Sequence, residues 1–204
     1  MYWKKYTCLA DCDIQYLRDT VYKLPKDAHV IAAGVYKGGD VMSMYNKRPD
    51  LHFTVFDSFK GLAVPKVQDS CEDQCSEGEC NAGGLNSFIQ GFKDVGIYDH
   101  INIKTNEVWI TVENIKKFKI APVDFLWLDL DHYEPTFAML EICKNLLKPN
   151  SIVATHDYDF FRCPGIRKAC HEVFPNWKVQ PNTGIAQAKI KKKRFFNVKQ
   201  LLRI

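Results

Sequence analysis

The chain has 204 residues, of which 46% are hydrophobic and 25% charged, and its formal net charge is +4. This length suits one domain with a substantial core, and so small a net charge does not favour a nucleic-acid partner, which needs a basic face. No apolar stretch approaches the roughly 18 residues of a membrane span, and the first residues lack the apolar core of a signal peptide. We therefore expect a single domain over residues 1–204, located in the cytoplasm, with the basic run at 191–194 as a solvated strand end.

The first part of the chain alternates helical and strand patterns. Residues 9–24 carry apolar side chains at helical spacing and end before Pro25, which predicts an amphipathic helix. Short apolar runs at 29–33 and 51–56 predict two buried strands. Residues 60–85 are rich in acids, cysteine and glycine and predict a long loop, and loops of this length in compact domains are usually functional.

The rest of the chain continues this alternation and ends in a hairpin. The further predicted helices are 40–45, 86–95, 108–118, 135–147 and 165–174, and the further predicted strands are 101–104, 123–128, 151–155, 177–180 and 185–190. Alternation of this kind is typical of a parallel sheet covered by helices, and residues 181–184 predict the turn of an antiparallel hairpin. The sequence therefore predicts an α/β fold of the Rossmann-like type, with a mostly parallel sheet and a C-terminal antiparallel hairpin.

Cysteine forms one cluster, with Cys71, Cys75 and Cys80 close together in the 60–85 segment. Three interpretations stay open for them: a structural zinc site, a loop disulfide, or free thiols. Zinc sites usually contain a second closely spaced pair of ligands, and none follows here. The other five cysteines of the chain are interpreted as ordinary buried or helical thiols.

The glycine turn after the first strand is a candidate ligand-binding loop. Gly34, Gly38 and Gly39 stand just before a helix, where backbone without Cβ atoms can approach a ligand. Their spacing differs from the dinucleotide pattern G-x-G-x-x-G, which disfavours a nicotinamide-dependent oxidoreductase. The second strand ends at Asp57, whose carboxylate can accept hydrogen bonds from both hydroxyls of an adenosine ribose; the alternative is an aspartate that caps a helix.

Acidic residues follow two later strands. Asp129, Asp131 and His132 come after the fourth strand, and His156 and Asp157 after the fifth. Ligands of open parallel sheets bind at the carboxyl ends of the strands, and a cluster of acids there is costly unless it is paired or binds a metal. Carboxylates with one imidazole suit Mg²⁺ or Mn²⁺, and a bound cation lowers the pKa of a substrate hydroxyl. The alternative is a set of capping and hydrogen-bonded carboxylates.

Four segments resemble the metal-dependent sugar O-methyltransferases typified by macrocin O-methyltransferase: GVYKGG at 34–39, VFDSFKGL at 55–62, LDLDHYEPT at 128–136 and THDY at 155–158. The resemblance covers roughly residues 30–190. It implies a class I methyltransferase fold, S-adenosylmethionine as the methyl donor and a divalent metal, Mg²⁺ or Mn²⁺. It also implies that the acceptor is a hydroxyl of a sugar, such as a deoxyhexose like rhamnose, free, nucleotide-linked or within a glycan.

The resemblance also implies roles for individual residues. It places the donor at Gly34, Tyr36, Gly38, Gly39, Asp57 and Ser58, the metal at Asp129, His156 and Asp157, and a closing loop at 60–85. Two positions depart from the family pattern. Ala33 stands where the family has an acid for the donor's amino group, and His156 stands where it has the first of two adjacent acids.

Methyl transfer to oxygen needs a base for the hydroxyl proton, held in line with the donor methyl group. Asp129, His132 and Asp131 are the candidates, with Asp129 ranked first and His132 second. A hydrogen-bonded histidine without a catalytic role is the alternative for His132. A different class of function is a non-catalytic Rossmann-like module that binds nucleotide or sugar, which Ala33 favours. The sequence leaves the oligomeric state open between monomer and homodimer.

Overall fold

The computed structural model describes residues 2–97 and 102–190, and within them seven strands form a single sheet. The strands are β1 His29–Ala33, β2 His52–Asp57, β3 Ile103–Glu107, β4 Val123–Leu128, β5 Leu147–Thr155, β6 Lys178–Val179 and β7 Ala186–Lys189. The helices are α1 Asp11–Tyr22, α2 Gly39–Lys47, α3 Leu85–Asp94, α4 Val112–Ile115, α5 Tyr133–Cys143 and α6 Pro164–Val173, with 3-10 turns at Tyr2–Tyr6 and Val67–Asp69.

The sheet has the strand order β3-β2-β1-β4-β5-β7-β6. The first five strands pair in parallel, and β7 pairs antiparallel with both β5 and β6. The order reverses between β1 and β4, and this switch point is where open α/β sheets bind their ligands. The predicted α/β fold with a mostly parallel sheet and a C-terminal antiparallel hairpin is therefore confirmed.

Each face of the sheet carries its own hydrophobic core. Val30 and Ala32 of β1 pack on one face with side chains of α1, α2 and α3. Ile31 and Ala33 pack on the other face with side chains of α4, α5 and α6. Alternate residues of a strand point to opposite faces, so the uninterrupted apolar run of β1 is the pattern of a central strand buried on both sides.

Some boundaries differ from the sequence-based expectations. The helix predicted at 108–118 is only the single turn Val112–Ile115, because Trp109 and Ile110 line a cavity instead. The last strand of the parallel series begins at Leu147 rather than at residue 151. The basic run at 191–194 lies outside the described residues. Within the described ranges, no helix is both long enough and apolar enough to cross a membrane.

Candidate active site

A cavity of about 630 Å³ lies at the carboxyl ends of β1, β2, β4 and β5. Its wall contains nearly all the site residues that the sequence singled out: Gly34, Tyr36, Asp57, Ser58, Asp129, Asp131, His132, His156 and Asp157. Gly38 and Gly39 do not line it. A Cβ atom on Gly38 would lie 2.5 Å from the ring of Phe88, and one on Gly39 would lie 2.7 Å from the carbonyl oxygen of Trp3, so these two glycines permit close packing of α2.

Asp57 organises the turn that follows β1. Its Oδ2 accepts hydrogen bonds from the backbone N–H groups of Val35 at 2.7 Å and Tyr36 at 3.1 Å, and its Oδ1 accepts one from Phe59 at 2.6 Å. Burial raises the pKa of Asp57, and these three hydrogen bonds oppose that rise. A carboxylate accepts about four hydrogen bonds, so Asp57 holds the turn and keeps capacity for a ligand hydroxyl.

The close approach of the turn after β1 to the backbone at the end of β4 requires glycine at position 34. Gly34 has a φ of +72°, and a Cβ atom there would lie 1.9 Å from the backbone oxygen of Asp129. This close contact brings the glycine turn against the residue that starts the acidic cluster. The donor-binding and metal-binding segments predicted from sequence are therefore adjacent in the fold.

Asp40 is a cavity residue that the sequence did not single out. It lies in the first turn of α2 and is 3% exposed, and its Oδ2 accepts a hydrogen bond of 2.8 Å from Nε1 of Trp127 on β4. Burial raises the pKa of Asp40 to about 7; hydrogen bonds from Val41 and Trp127 oppose the rise, and the charges of Asp129 and Asp57 add to it. This buried acid lies on the α2 side of the cavity, seven residues after Ala33 in the chain.

Replacing Asp40 is expected to change how stability depends on pH. A folded-state pKa above the unfolded value means that the stability contribution is present at low pH and is lost as pH rises through about 7. The Tm of Asp40→Asn relative to the parent should therefore become more favourable from about pH 5 to about pH 8. Asp19→Asn, an exposed acid on α1, is the control. A relative Tm of Asp40→Asn that does not change with pH would contradict this assignment.

His156 is surrounded by three carboxylates. Its Nδ1 lies 3.0 Å from Oδ1 of Asp157 and 3.3 Å from Oδ1 of Asp129, and its Nε2 lies 3.5 Å from Oδ2 of Asp13. Burial opposes the charged imidazole, but the three carboxylates together raise the pKa of His156 above its ordinary value. Asp13 also accepts a hydrogen bond of 2.9 Å from the N–H of Gly184, which joins α1 to the turn before β7.

The three predicted ligand residues fit a divalent cation. Neighbouring ligand atoms on an octahedral ion with bonds of about 2.1 Å are about 3.0 Å apart, close to the 3.0 and 3.3 Å that separate Nδ1 of His156 from Asp157 and Asp129. Asp13 lies next to Nε2 of His156. Metal-binding histidines commonly have a carboxylate at this second ring nitrogen, which fixes the orientation of the ring. Because a ligating histidine is neutral, a cation and the imidazole proton would compete for this place.

The remaining two candidates lie side by side in the turn between β4 and α5. Asp131 lines the cavity and is partly buried. His132 is 3% exposed and also lines the cavity, and its Nε2 lies 3.1 Å from the backbone oxygen of Cys75. With Nε2 as the donor, Nδ1 of His132 carries the lone pair. The 60–85 segment thus fixes the tautomer of a histidine in the cavity wall.

Left-handed backbone recurs around the cavity at residues other than glycine. The φ angles are +51° at Tyr36, +54° at Phe59, +59° at Asp131 and +54° at Asp157. Side chains rarely adopt this conformation, and its cost is typically about 1–3 kcal/mol per residue. Such residues cluster at functional sites, because surrounding contacts must hold them in place.

The 60–85 segment is fastened to the body of the fold. Arg162 donates from Nε to the carbonyl of Asp73 at 2.7 Å and pairs with Glu79 at 3.0 Å. Asp69 accepts a hydrogen bond of 2.7 Å from the N–H of Tyr133 at the start of α5. The segment therefore closes one side of the cavity in this conformation.

The structure excludes one of the three interpretations of the cysteine cluster, the loop disulfide. All eight cysteines of the chain lie in the described residues and all are free, so the structure contains no loop disulfide. Cys75 is buried against Cys163, whereas Cys71 is half-buried and Cys80 exposed. Among the described residues, Cys71 and Cys80 belong to no group of potential metal ligands, and the partner of Cys75 comes from a distant part of the chain.

Comparison with known proteins supports the fold assignment. No protein-family model matches the chain, and no curated protein sequence does. Solved structures do. CalS11, a calicheamicin methyltransferase, is 20% identical with a TM-score of 0.70, covering 87% of this chain and 77% of its own. The O-methyltransferase NovP is 17% identical with a TM-score of 0.71, covering 92% and 83%.

A third structure was determined with a donor-derived ligand. The O-methyltransferase from Bacillus cereus in complex with SAH is 14% identical with a TM-score of 0.60, covering 92% of this chain and 85% of its own. At these identities the likeness concerns the fold. The chain therefore has the Rossmann-like fold seen in class I O-methyltransferases.

Proposed function

We propose that the protein is an S-adenosylmethionine-dependent O-methyltransferase that acts on a sugar hydroxyl with the help of a divalent metal, as in the macrocin O-methyltransferase group. One observation carries the proposal. The glycine turn at Gly34 and the cluster of Asp129, His156 and Asp157 face one cavity at the switch point of the sheet. Donor and metal sites that share one cavity suit a reaction between a bound methyl group and a metal-oriented hydroxyl.

The donor is assigned to the β1 and β2 side of the cavity. The Gly34 turn would hold its methionine part, and Asp57 would bind the ribose hydroxyls with the acceptor capacity that the turn leaves free. Asp40 lies on the wall of the same cavity and supplies a carboxylate there, whereas position 33 is alanine. An anionic group there would attract the positively charged donor, since opposite charges in a partly water-excluded cavity interact strongly.

The acceptor is assigned to the side of the cavity formed by β4 and β5. Asp129, His156 and Asp157 would hold the cation, which when bound lowers the pKa of a hydroxyl and orients it. Asp129 would be committed to the metal, so we assign the base to His132, whose Nδ1 lone pair is available while Nε2 bonds to the 60–85 segment. Ordered placement of hydroxyl and methyl group supplies much of the rate in such transfers.

A sugar acceptor is supported by the cavity rim. Trp109 and Phe160 line the cavity and are 42% and 39% exposed. Aromatic rings exposed at a cavity mouth offer flat apolar surface with few rotatable bonds, which suits the apolar face of a deoxyhexose. CalS11 is described as a TDP-rhamnose 3'-O-methyltransferase, which favours a nucleotide-linked deoxyhexose as the first acceptor to test.

A direct assay tests the proposal. We expect calorimetry to give a micromolar Kd for S-adenosylmethionine, on the order of −8 kcal/mol. We also expect methyl transfer from labelled donor to TDP-rhamnose that stops on chelation and recovers with Mn²⁺ or Mg²⁺. Asp159→Asn, which changes an exposed acid that pairs with Arg167 and precedes Phe160 in the chain, should leave both measurements unchanged. Donor binding absent at millimolar concentration would refute the proposal.

A non-catalytic module that binds nucleotide or sugar is the second candidate, and Ala33 favours it. The same experiment separates the two. Binding of TDP-rhamnose without any affinity for the donor would establish the module, whereas the enzyme needs both ligands at once. The position of Asp40 favours the enzyme, because a binding module for an anionic sugar nucleotide gains nothing from a buried acid in its cavity.

A further inference from the structure

We propose a second metal site, for zinc, formed by Cys75, Cys163 and Asp131. These residues come from three separate parts of the chain: the 60–85 segment, the residue before α6, and the turn after β4. Their sulfur and oxygen atoms all lie within 4.8 Å of one another. Asp131 neighbours Asp157 of the Asp129, His156 and Asp157 cluster, but the two ligand sets share no residue and differ in chemistry, because two of the three zinc ligands are sulfur.

The distances match those of a zinc ion. The Sγ atoms of Cys75 and Cys163 are 3.6 Å apart, and Sγ of Cys163 lies 3.8 Å from Oδ1 of Asp131. Two thiolates on a tetrahedral zinc ion with bonds of about 2.3 Å are about 3.8 Å apart. A disulfide needs about 2.05 Å, so the two sulfur atoms are not bonded to each other. Thiolates select zinc over Mg²⁺, the harder cation.

The surroundings of Cys75, Cys163 and Asp131 favour the binding of a cation. Cys163 is fully buried and Cys75 is 6% exposed, and thiols are weak hydrogen-bond donors. The thiol of Cys163 donates only a weak hydrogen bond to Oδ1 of Asp131 at 3.8 Å, so this contact offsets little of the cost of burying part of the carboxylate. Asp131 also adopts its position with a left-handed φ of +59°. A zinc ion would convert this arrangement into three anionic ligands around a dication, with water as the fourth ligand.

The site would fix the 60–85 segment where it borders the cavity. Cys75 belongs to that segment, and its backbone oxygen bonds to Nε2 of His132 while its N–H donates to the oxygen of Arg162 at 3.4 Å. Zinc at Cys75 would therefore hold the carbonyl that sets the tautomer of His132. This consequence rests on the proposed function; the zinc site itself does not.

Metal analysis of the full chain tests the site. We expect about one zinc ion per chain after extensive dialysis, because two thiolates and a carboxylate would hold the ion. Replacement by Co²⁺ should give thiolate-to-cobalt charge-transfer absorption and the strong visible bands of tetrahedral cobalt. Cys75→Ser and Cys163→Ser should each lose the zinc. Cys71→Ser and Cys80→Ser, which change the same segment outside the cluster, should retain it.

Hydrogen exchange gives a second readout that is independent of methyl transfer. Removal of zinc should speed exchange of the amides around Cys75, with little change in β1 and β4. Three results would overturn the site: zinc absent from the parent protein, a Cys75–Cys163 disulfide found by mass spectrometry in protein purified without reductant, or zinc retained by Cys163→Ser. Because none of these measurements uses donor or acceptor, failure of the zinc site and failure of the proposed function are distinguishable.

Discussion

Asp129→Asn is expected to lower kcat by at least about 1,000-fold while the Kd of S-adenosylmethionine stays within about threefold. The substitution removes one of the two carboxylates assigned to the cation. The donor would keep its contacts to the Gly34 turn and Asp57. Loss of turnover without loss of donor binding is the pattern of an interaction made by the acceptor and the transition state.

Metal binding provides the second measurement on this variant. The affinity of Asp129→Asn for Mn²⁺ should fall at least about tenfold. Asp159→Asn is the matched control, since it also removes a carboxylate near the cavity but its side chain is exposed and pairs with Arg167. A near-normal rate in Asp129→Asn would remove the metal assignment, whatever the acceptor is.

Gly34→Ala should be the most destabilising single substitution in the cavity wall. The new Cβ atom would lie 1.9 Å from the backbone oxygen of Asp129, and neither main-chain segment can rotate away. The ends of β1 and β4 would have to separate, so we expect a loss of roughly 4 kcal/mol or more in the free energy of unfolding. Urea denaturation followed by circular dichroism measures this loss.

A second glycine separates the clash from the cost of the backbone conformation. Gly96 has a φ of +77°, close to the +72° of Gly34, but a Cβ atom there would have nothing within 4 Å. Gly96→Ala should therefore cost only about 1–2 kcal/mol, the price of the left-handed conformation alone. Equal losses in the two variants would mean that the contact between Gly34 and the backbone of Asp129 relaxes easily.

The fold was predictable from the sequence wherever a signal was local. Two apolar runs, at 29–33 and 123–128, predict buried parallel strands. The glycine or aspartate that follows each run predicts that the strand ends at a ligand-binding edge of the sheet. The structure has β1 and β4 at these positions. The helix predicted at 108–118 was wrong over most of its length. Its apolar residues Trp109 and Ile110 belong to the cavity wall, and periodicity does not distinguish a cavity-facing residue from a core-facing one.

The candidate site was predictable in part for the same reason. Asp57, Asp129 and Asp157 directly follow strands, so the parallel sheet brings them together. Asp13 and Asp40 lie on helices, where an acid in the first turn is ordinarily explained by the helix dipole. Their inward positions depend on Gly184, His156 and Trp127, which are distant in the chain, and the partnership of Cys75 with Cys163 across 88 residues is hidden in the same way.

The left-handed backbone at Tyr36, Phe59, Asp131 and Asp157 has an evolutionary consequence. At about 1–3 kcal/mol each, these four residues offset a large share of the ~5–15 kcal/mol by which domains are usually stable. Glycine at Tyr36, Asp131 or Asp157 would relieve strain and remove a side chain from the cavity wall. A library of variants selected only for heat resistance should therefore accumulate glycine at these positions. Selection for ligand binding or turnover should instead retain the side chains that line the cavity.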